Sequence, residues 1–183
     1  MKLFKKVFIV FSMILLVITA IGFIFFRSHV HVERSIVINK SQSELFSVLN
    51  THKNFNSWSP WFSRDTTMKI VFSGPESGVG AKFSWISSVK SVGKGSMEIT
   101  ESKPDSVIRQ VLNFMDKGNS HASYLLSEEG GGTRLVWTLD MEAGANPLLR
   151  IMGGFMDKAV GADFERGLSK LKAIVETQVS LIN

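Results

Sequence analysis

The 183-residue chain contains no cysteine. This absence excludes disulfides, thiolate metal sites and cysteine nucleophiles, and it leaves the compartment unmarked by redox chemistry. Acidic side chains are missing from the first 28 residues, which therefore carry +4 of the net charge of +5. The remainder has 17 basic and 16 acidic side chains and is nearly neutral. The basic balance is local, so we predict no nucleic-acid partner.

Motifs of several enzyme classes are also absent. The sequence has no G-x-S-x-G, and the glycine run 130–132 lacks the lysine that follows in a phosphate-binding loop. His29 and His31 lie two residues apart, a spacing that suits a metal pair on a strand, but the sequence shows no third ligand. His52 and His121 stand alone. We therefore predict no catalytic residue of hydrolase type, no metal site and no cofactor.

A long apolar run dominates the N-terminus. Residues 7–26 contain no charge, and at about 1.5 Å per residue they span roughly 30 Å, the thickness of a hydrocarbon core. The run stops at Arg27 without a small-x-small cleavage site, which favours an uncleaved anchor. Lys2, Lys5 and Lys6 precede it. The positive-inside rule predicts a single-pass protein of the cell membrane, with a cytoplasmic N-terminus and the domain on the outer side.

The rest of the chain, residues 29–183, is predicted to form one domain behind an anchor of residues 1–28. A strand at 30–39 leads into a helix that begins with a capping box at Ser41 and Glu44 and runs to about Leu49. A second short helix is predicted at 52–57. Six segments of alternating polarity with turns between them then predict an antiparallel meander at 67–73, 80–88, 94–101, 106–115, 120–127 and 133–141.

A long helix is predicted near the C-terminus, at residues 155–179. Its apolar stripe follows the helical period at Val160, Phe164, Leu168, Leu171 and Val175. A short helical piece at 146–154 is expected to break at its terminal glycine pair. Gly161 and Gly167 each cost about 1 kcal/mol in a helix interior, so they indicate close approach of another backbone, room for a ligand, or an ordinary core helix that tolerates them.

These elements predict an α+β fold in which a curved antiparallel sheet wraps around the C-terminal helix and leaves a gap. Between residues 30 and 178 the chain resembles the polyketide cyclase/dehydrase-like branch of the helix-grip superfamily, which includes START-type lipid-transfer domains and the birch-pollen allergen. The resembling segments are 32–38, 58–61, 78–80 with Trp85, 92–95, 132–137 and 156–172. The resemblance implies a helix-grip fold that hosts carriers, sensors and some enzymes.

Aromatic side chains are predicted to converge between the sheet and the helix. They indicate either the wall of an apolar pocket or a filled core, and the resemblance favours the pocket. The residues that we predict to bind a ligand are Trp58, Trp61, Phe62, Phe83, Trp85, Met97, Arg109, Tyr124, Trp137 and Phe164.

The sequence favours a membrane-anchored domain that binds or transports a hydrophobic small molecule, such as a lipid, an isoprenoid or an aromatic compound. Access is expected through the loops at 58–62 and 146–154. A first alternative is a cyclase or dehydratase, in which Arg109 and Tyr124 polarise the carbonyl of a hydrophobic substrate. A second alternative is a structural module without a ligand.

Overall fold

The computed structural model describes residues 2–25, 28–114 and 119–177. Phe26, Met115 and Val179, at which three of the predicted elements end, lie outside the described residues. The elements, in chain order, are α1 Lys2–Phe25, β1 His29–Ile38, α2 Gln42–Leu49, α3 His52–Trp58, α4 Pro60–Arg64, β2 Lys69–Ser73, β3 Lys82–Ile86, β4 Lys94–Lys103, β5 Val107–Asn113, β6 Asn119–Glu129, β7 Gly132–Glu142 and α5 Pro147–Thr177.

Seven strands form one antiparallel sheet in the order β1-β7-β6-β5-β4-β3-β2. The sheet curves, and its inner face packs against α5 together with α2, α3 and α4. Inner and outer residues alternate along the strands because successive side chains point to opposite faces. The predicted helix-grip architecture is therefore confirmed.

The capping box predicted at the start of α2 is present. The Ser41 side chain accepts a hydrogen bond from the Glu44 backbone N–H, and the Glu44 carboxylate accepts one from the Ser41 N–H at 3.1 Å. Both bonds satisfy N–H groups that have no partner within the helix, which fixes where the helix begins.

Helix α5 is longer than predicted, because the break expected at Gly153 and Gly154 does not occur. The helix runs without interruption from Pro147 to Thr177. An added Cβ at Gly153 would collide with a methyl group of Val30 on β1. The glycine thus lets the helix lie close to the first strand, and this packing outweighs its low helix propensity.

Gly161 and Gly167 also mark close approach, in both cases of side chains. An added Cβ at Gly161 would overlap the guanidinium group of Arg34, and one at Gly167 would lie 3.1 Å from the Trp137 ring. The predicted apolar stripe faces the sheet, with Phe164, Leu168, Leu171 and Val175 buried and Val160 half-buried.

Helix α1 is long and apolar enough to cross a membrane over Phe4–Phe25, and its side chains are mostly exposed. By length and composition it fits a membrane span or a signal anchor. Its C-terminal end contacts the start of α5, where Gly22 lies against Pro147. The guanidinium carbon of Arg150 lies 4.3 Å from the centre of the Phe23 ring, a cation–π contact that joins the two helices.

Candidate functional site

The inner face of the sheet, closed by α5 and by α3 and α4, gathers most of the predicted ligand-binding residues. Strand alternation points Phe83, Trp85, Met97, Tyr124 and Trp137 inward, and each is buried. Trp58 and Phe164 are buried opposite them, on α3 and α5. Trp61 and Phe62, on α4, are half-buried at the rim.

Trp137 lies at the centre of an aromatic cluster. Its ring stacks on Phe164, with centroids 3.8 Å apart and planes 4° from parallel. Trp58, Trp61 and Tyr124 approach it with centroids 5.3, 5.9 and 5.7 Å away. The three longer distances are those of favourable tilted or edge-on aromatic pairs, each contributing about 0.5–1.5 kcal/mol beyond its burial.

The rings fill the gap that the sequence predicts between the sheet and α5. Two pockets in the described part of the chain lie away from this interior, and one of them is a groove beside Ser12 to Ala20 of α1. Another is a depression of about 200 Å³ between α2 and the end of α5, lined by Lys40, Glu44, Leu45, Ser47, Val48 and Val175. In this conformation aromatic side chains pack against one another where the sequence predicts a hollow, so a ligand that enters there has to move some of them apart.

Phe55 joins the cluster although it was not among the predicted residues. Its ring lies 4.8 Å from that of Trp58, in an edge-on arrangement, and 6.2 Å from that of Trp137. His52, Phe55 and Trp58 follow one another at intervals of three residues along α3, and all three are buried. This helical spacing is the signal in the sequence that could have identified Phe55 as an inward residue.

Arg109 is a correction to the predicted site. It lies on the outer face of β5, where its Nε is 3.0 Å from Glu101 Oε2 and its side chain is 57% exposed. Successive residues of a strand face opposite sides, so its neighbour Gln110 is the one that points inward, and Gln110 is only 2% exposed.

Two buried N–H groups line this interior without a partner. Neither Trp58 Nε1 nor Gln110 Nε2 donates a hydrogen bond to any group in the described part of the chain. The contrast is Trp85, whose Nε1 donates to the Val92 carbonyl at 3.3 Å. An unpaired buried donor costs about 1–3 kcal/mol. The Trp58 indole can thus donate to an acceptor oxygen that reaches it, and the Gln110 amide, which also lies beside the Tyr124 side chain, is a second donor for such an oxygen.

Tyr124 completes the polar part of the interior. Its ring centroid lies 6.1 Å from that of Trp58, and the Gln110 side chain neighbours its hydroxyl. Burial raises the pKa of the Tyr124 phenol above its ordinary value, although Gln110 acts in the opposite direction. The phenol therefore stays protonated at neutral pH, and it is a hydrogen-bonding group rather than a base.

Buried carboxylates in the described residues are engaged in structural contacts. Asp163 pairs with Arg64 of α4 and with Arg166 of α5. Asp65 accepts hydrogen bonds from Ser87 and Thr67, and these bonds lower the pKa of its carboxyl group. The lowered pKa of Asp65 is the opposite of what general acid catalysis at neutral pH requires.

His52 borders the aromatic cluster as a neutral side chain. Its Nε2 donates to the Ala81 carbonyl at 3.1 Å, and its ring meets Phe83 edge-on at 5.0 Å. Burial lowers the pKa of His52 to about 4, because desolvation disfavours the charged imidazolium.

Arg34 faces inward from β1 and is held by α5. Its Nε donates to Glu165 at 2.7 Å and its Nη1 to Asp157 at 2.8 Å, above the surface that Gly161 leaves free. These two carboxylates raise the pKa of the Arg34 guanidinium further. His29 and His31 lie on the opposite, outer face of the same strand and take no part in the interior.

Comparison with known proteins supports this architecture. The chain matches the family described as polyketide cyclase / dehydrase and lipid transport over residues 29–176. No curated protein sequence matches it significantly.

Solved structures with a similar fold cover most of the chain. A Staphylococcus aureus protein of unknown function is 14% identical with a TM-score of 0.63, the match covering 83% of this chain and 96% of that one. Ara h 8.0201 is 12% identical with a TM-score of 0.60, over 81% and 99%. The di-domain ARO/CYC StfQ from the steffimycin biosynthetic pathway is 11% identical with a TM-score of 0.64, over 83% and 52%. At such identities the likeness concerns the fold alone.

Proposed function

The chain belongs to the polyketide cyclase/dehydrase and lipid-transport family, and from this premise we propose that it is a membrane-anchored carrier. Its ligand is a hydrophobic small molecule that bears an acceptor oxygen, such as a lipid, an isoprenoid or an aromatic compound. The ligand binds between the inner face of the sheet and α5.

The observation that carries this proposal is the pair of unpartnered donors. Trp58 Nε1 and Gln110 Nε2 are buried in a mostly apolar interior, where an unpaired N–H group is costly. A core selected only for packing favours apolar groups at such positions. A carbonyl, carboxyl or hydroxyl oxygen on a hydrophobic ligand satisfies these donors and selects molecules that carry such an oxygen.

Binding requires the aromatic cluster to open, and the half-buried rings at the rim are the movable part. Trp61 meets Trp137 and Phe164 only edge-on, with centroids 5.9 and 6.3 Å away. Such edge-on pairs contribute about 0.5–1.5 kcal/mol each. A ligand that buries about 200 Å² of apolar surface gains about 5 kcal/mol at 25 cal/mol per Å². The burial energy of a ligand of moderate size therefore exceeds the energy of the two ring contacts that Trp61 loses.

Helix α1 places the carrier at the source of its ligand. As a single membrane span with basic residues before it, it holds the domain on the outer side of the cell membrane and raises its effective concentration at the lipid surface. Leu148, next to the contact between α1 and α5, is 59% exposed, and Phe155, further along α5, is 65% exposed. These apolar side chains suit the end of the domain that faces the bilayer.

Binding without catalysis fits the interior better than cyclisation or dehydration does. The enzymatic alternative relied on Arg109 and Tyr124 acting together on a carbonyl group, but Arg109 lies outside and pairs with Glu101. Tyr124 remains as a hydrogen-bonding group, and buried carboxylates in the described residues are paired elsewhere.

Native mass spectrometry of the detergent-extracted full chain tests the proposal. Hexadecanoic acid and hexadecane, supplied separately during purification, share an apolar chain and differ in the acceptor oxygens. We expect the acid to remain bound and the alkane to be retained far less. Trp58→Phe and Gln110→Leu should lower retention of the acid, while Trp85→Phe, which removes an indole that already has a partner, should not.

Three results would contradict the carrier. Absence of any bound hydrophobic molecule, native or supplied, would leave the structural module as the better interpretation. Equal retention of acid and alkane would refute the role of the donors. Turnover of a carbonyl substrate that stops in Tyr124→Phe would favour the enzyme.

A further inference from the structure

The outer face of the sheet carries a cluster of donor groups that the interior does not use. His29 and His31 alternate along β1 and so point to the same side of the sheet. The register of β1 with β7 places His29 opposite Glu142 and His31 opposite Asp140. Four groups that suit metal ligation therefore come from two neighbouring strands.

Both imidazoles converge on one carboxylate oxygen. Asp140 Oδ1 lies 3.0 Å from His29 Nε2 and 2.7 Å from His31 Nδ1. One ligand atom from each of the three residues lies within 4.8 Å of the others. Ligands around a tetrahedral zinc ion bind at about 2.0–2.2 Å and so lie roughly 3.3 Å apart. The two distances to Asp140 are shorter than this spacing, so these side chains have to rotate apart when an ion binds.

The far nitrogen of each imidazole also faces a carboxylate. His29 Nδ1 lies 3.0 Å from Glu142 Oε1, and His31 Nε2 lies 3.5 Å from Glu33 Oε2. A histidine that binds a metal commonly donates its other ring N–H to a carboxylate, which fixes the tautomer and orients the ring. This arrangement occurs here twice, and it is an observation independent of the convergence on Asp140.

Charge and exposure favour a cation at the same place. With neutral imidazoles, Glu33, Asp140 and Glu142 bring three negative charges to one patch, which a divalent ion reduces. The side chains of His29, His31 and Asp140 are 50%, 47% and 33% exposed. Such an ion is therefore reachable from solvent and keeps a position for water.

We propose that His29, His31 and Asp140 bind one Zn²⁺ ion, with Glu142 and Glu33 as orienting groups. Two imidazoles and one carboxylate suit zinc, whereas calcium and magnesium favour sites made of oxygen alone. The ion joins β1, the first strand after α1, to β7, the neighbouring strand that comes last along the chain. It lies on the opposite face from the ligand interior, so this site does not depend on the carrier function.

Zinc titration of the full chain in detergent, without a histidine tag and at mildly alkaline pH, tests the site by calorimetry. We expect one zinc ion per chain, no heat from calcium, and a thermal unfolding temperature that rises with zinc. His31→Ala and Asp140→Asn should each weaken zinc binding by about tenfold or more. Because Asp140→Asn keeps the shape of the side chain, a loss of zinc binding in this variant is not explained by misfolding.

The matched control is His121→Ala. His121 lies opposite Asp140 on the other neighbouring strand, β6, but is not one of the three converging donors. We expect it to bind zinc as the unchanged protein does. Failure of the unchanged protein to bind zinc would overturn the site. So would equal affinity in Asp140→Asn. An equal loss in His121→Ala would overturn the proposed set of ligands, because it would make His121, opposite Asp140, one of them.

Discussion

Single polar atoms distinguish this interior from an ordinary hydrophobic core. Trp58 Nε1 and Gln110 Nε2 have no partner in the described residues, whereas Trp85 Nε1 and Gln42 Nε2 donate to backbone carbonyls. The same two residue types thus occur both satisfied and unsatisfied in one chain. These pairs make it possible to separate the effect of a side chain's bulk from that of its N–H group.

Replacing Gln110 by methionine should stabilise the ligand-free protein by about 1 kcal/mol or leave it unchanged, because the change removes an unpaired buried donor. Chemical denaturation measures this free energy. Gln42→Met is the matched control, since Gln42 Nε2 donates to the Asp105 carbonyl at 2.8 Å. It should destabilise the protein by about 1 kcal/mol. An equal loss in both variants would mean that Gln110 is satisfied in solution.

His52 should make stability depend on pH. Its pKa in the folded protein is about 4, below the ordinary value of 6.5, so the folded state disfavours protonation. Above pH 6.5 His52 is neutral in both the folded and the unfolded state, and the protein has its full stability. As the pH falls from 6.5 towards 4, the unfolded state takes up the proton first, so the free energy of unfolding falls by up to about 3 kcal/mol.

Denaturation curves of the unchanged protein and His52→Gln across this range measure that contribution. The variant should lack it and lose less stability on acidification. Parallel curves for the two proteins would show that His52 is protonated in the fold at no cost.

The face on which a strand residue lies was only partly predictable. Alternation alone separates Arg109 from Gln110, but the sequence does not say which of the two faces the core. The structure decides it through the neighbours on the adjacent strand, since Gln110 stands opposite Ala122 and both are buried. The residues around Gln110 in the sequence do not predict this pairing between strands.

Among the elements, β1 and α5 define how the sheet and the helix fit together. Gly153 meets Val30, and Gly161 meets Arg34, so two glycines of α5 lie against two inward residues of one strand. Arg34 then pairs with Asp157 and Glu165 on either side of Gly161. The helix is held to the sheet by close approach and by charge at the same point.

Substituting Gly161 by alanine should therefore have opposite effects in two backgrounds. In the unchanged chain the new Cβ displaces the Arg34 guanidinium and should cost about 1 kcal/mol, despite the better helix propensity of alanine. In an Arg34→Ala background the same substitution should stabilise by up to about 1 kcal/mol.

A double-mutant cycle of unfolding free energies measures this coupling. Additive effects of the two substitutions would contradict the proposed contact between Arg34 and the helix.

Element boundaries were predictable where the signal is local. The capping box of α2 involves residues three apart and was found from sequence. The continuity of α5 through Gly153 and Gly154 depends on a strand more than a hundred residues earlier, so the expected break was wrong. The low helix propensity of the two glycines predicted the end of a helix, but the packing of the helix on β1 keeps it continuous.

At the scale of the whole molecule, the order of helices and strands was enough to predict a curved sheet around a C-terminal helix. The packing of the aromatic rings in the interior could not be predicted in the same way, because the sequence gives the aromatic residues but not the rotamers of their side chains. Nor could the donor set on the outer face, since His31 and Asp140 are 109 residues apart and meet only through strand register.

The proposed topology gives a prediction at this scale. Because Lys2, Lys5 and Lys6 precede the apolar helix, the N-terminus should stay in the cytoplasm. Alkaline phosphatase fused to the C-terminus should be active, and green fluorescent protein at the same place should be dark if exported unfolded. A fluorescent green fluorescent protein fusion together with an inactive phosphatase fusion would show that the domain lies in the cytoplasm, opposite to the proposed orientation.

The central claim is that a ligand oxygen accepts a hydrogen bond from buried donors. Nuclear magnetic resonance of the four indole N–H groups tests it most directly, in the ¹⁵N-labelled full chain with and without hexadecanoic acid. The account predicts that the Trp58 indole proton moves downfield on binding, while that of Trp85, already bonded to Val92, stays in place. Bound acid with an unchanged Trp58 signal would contradict it.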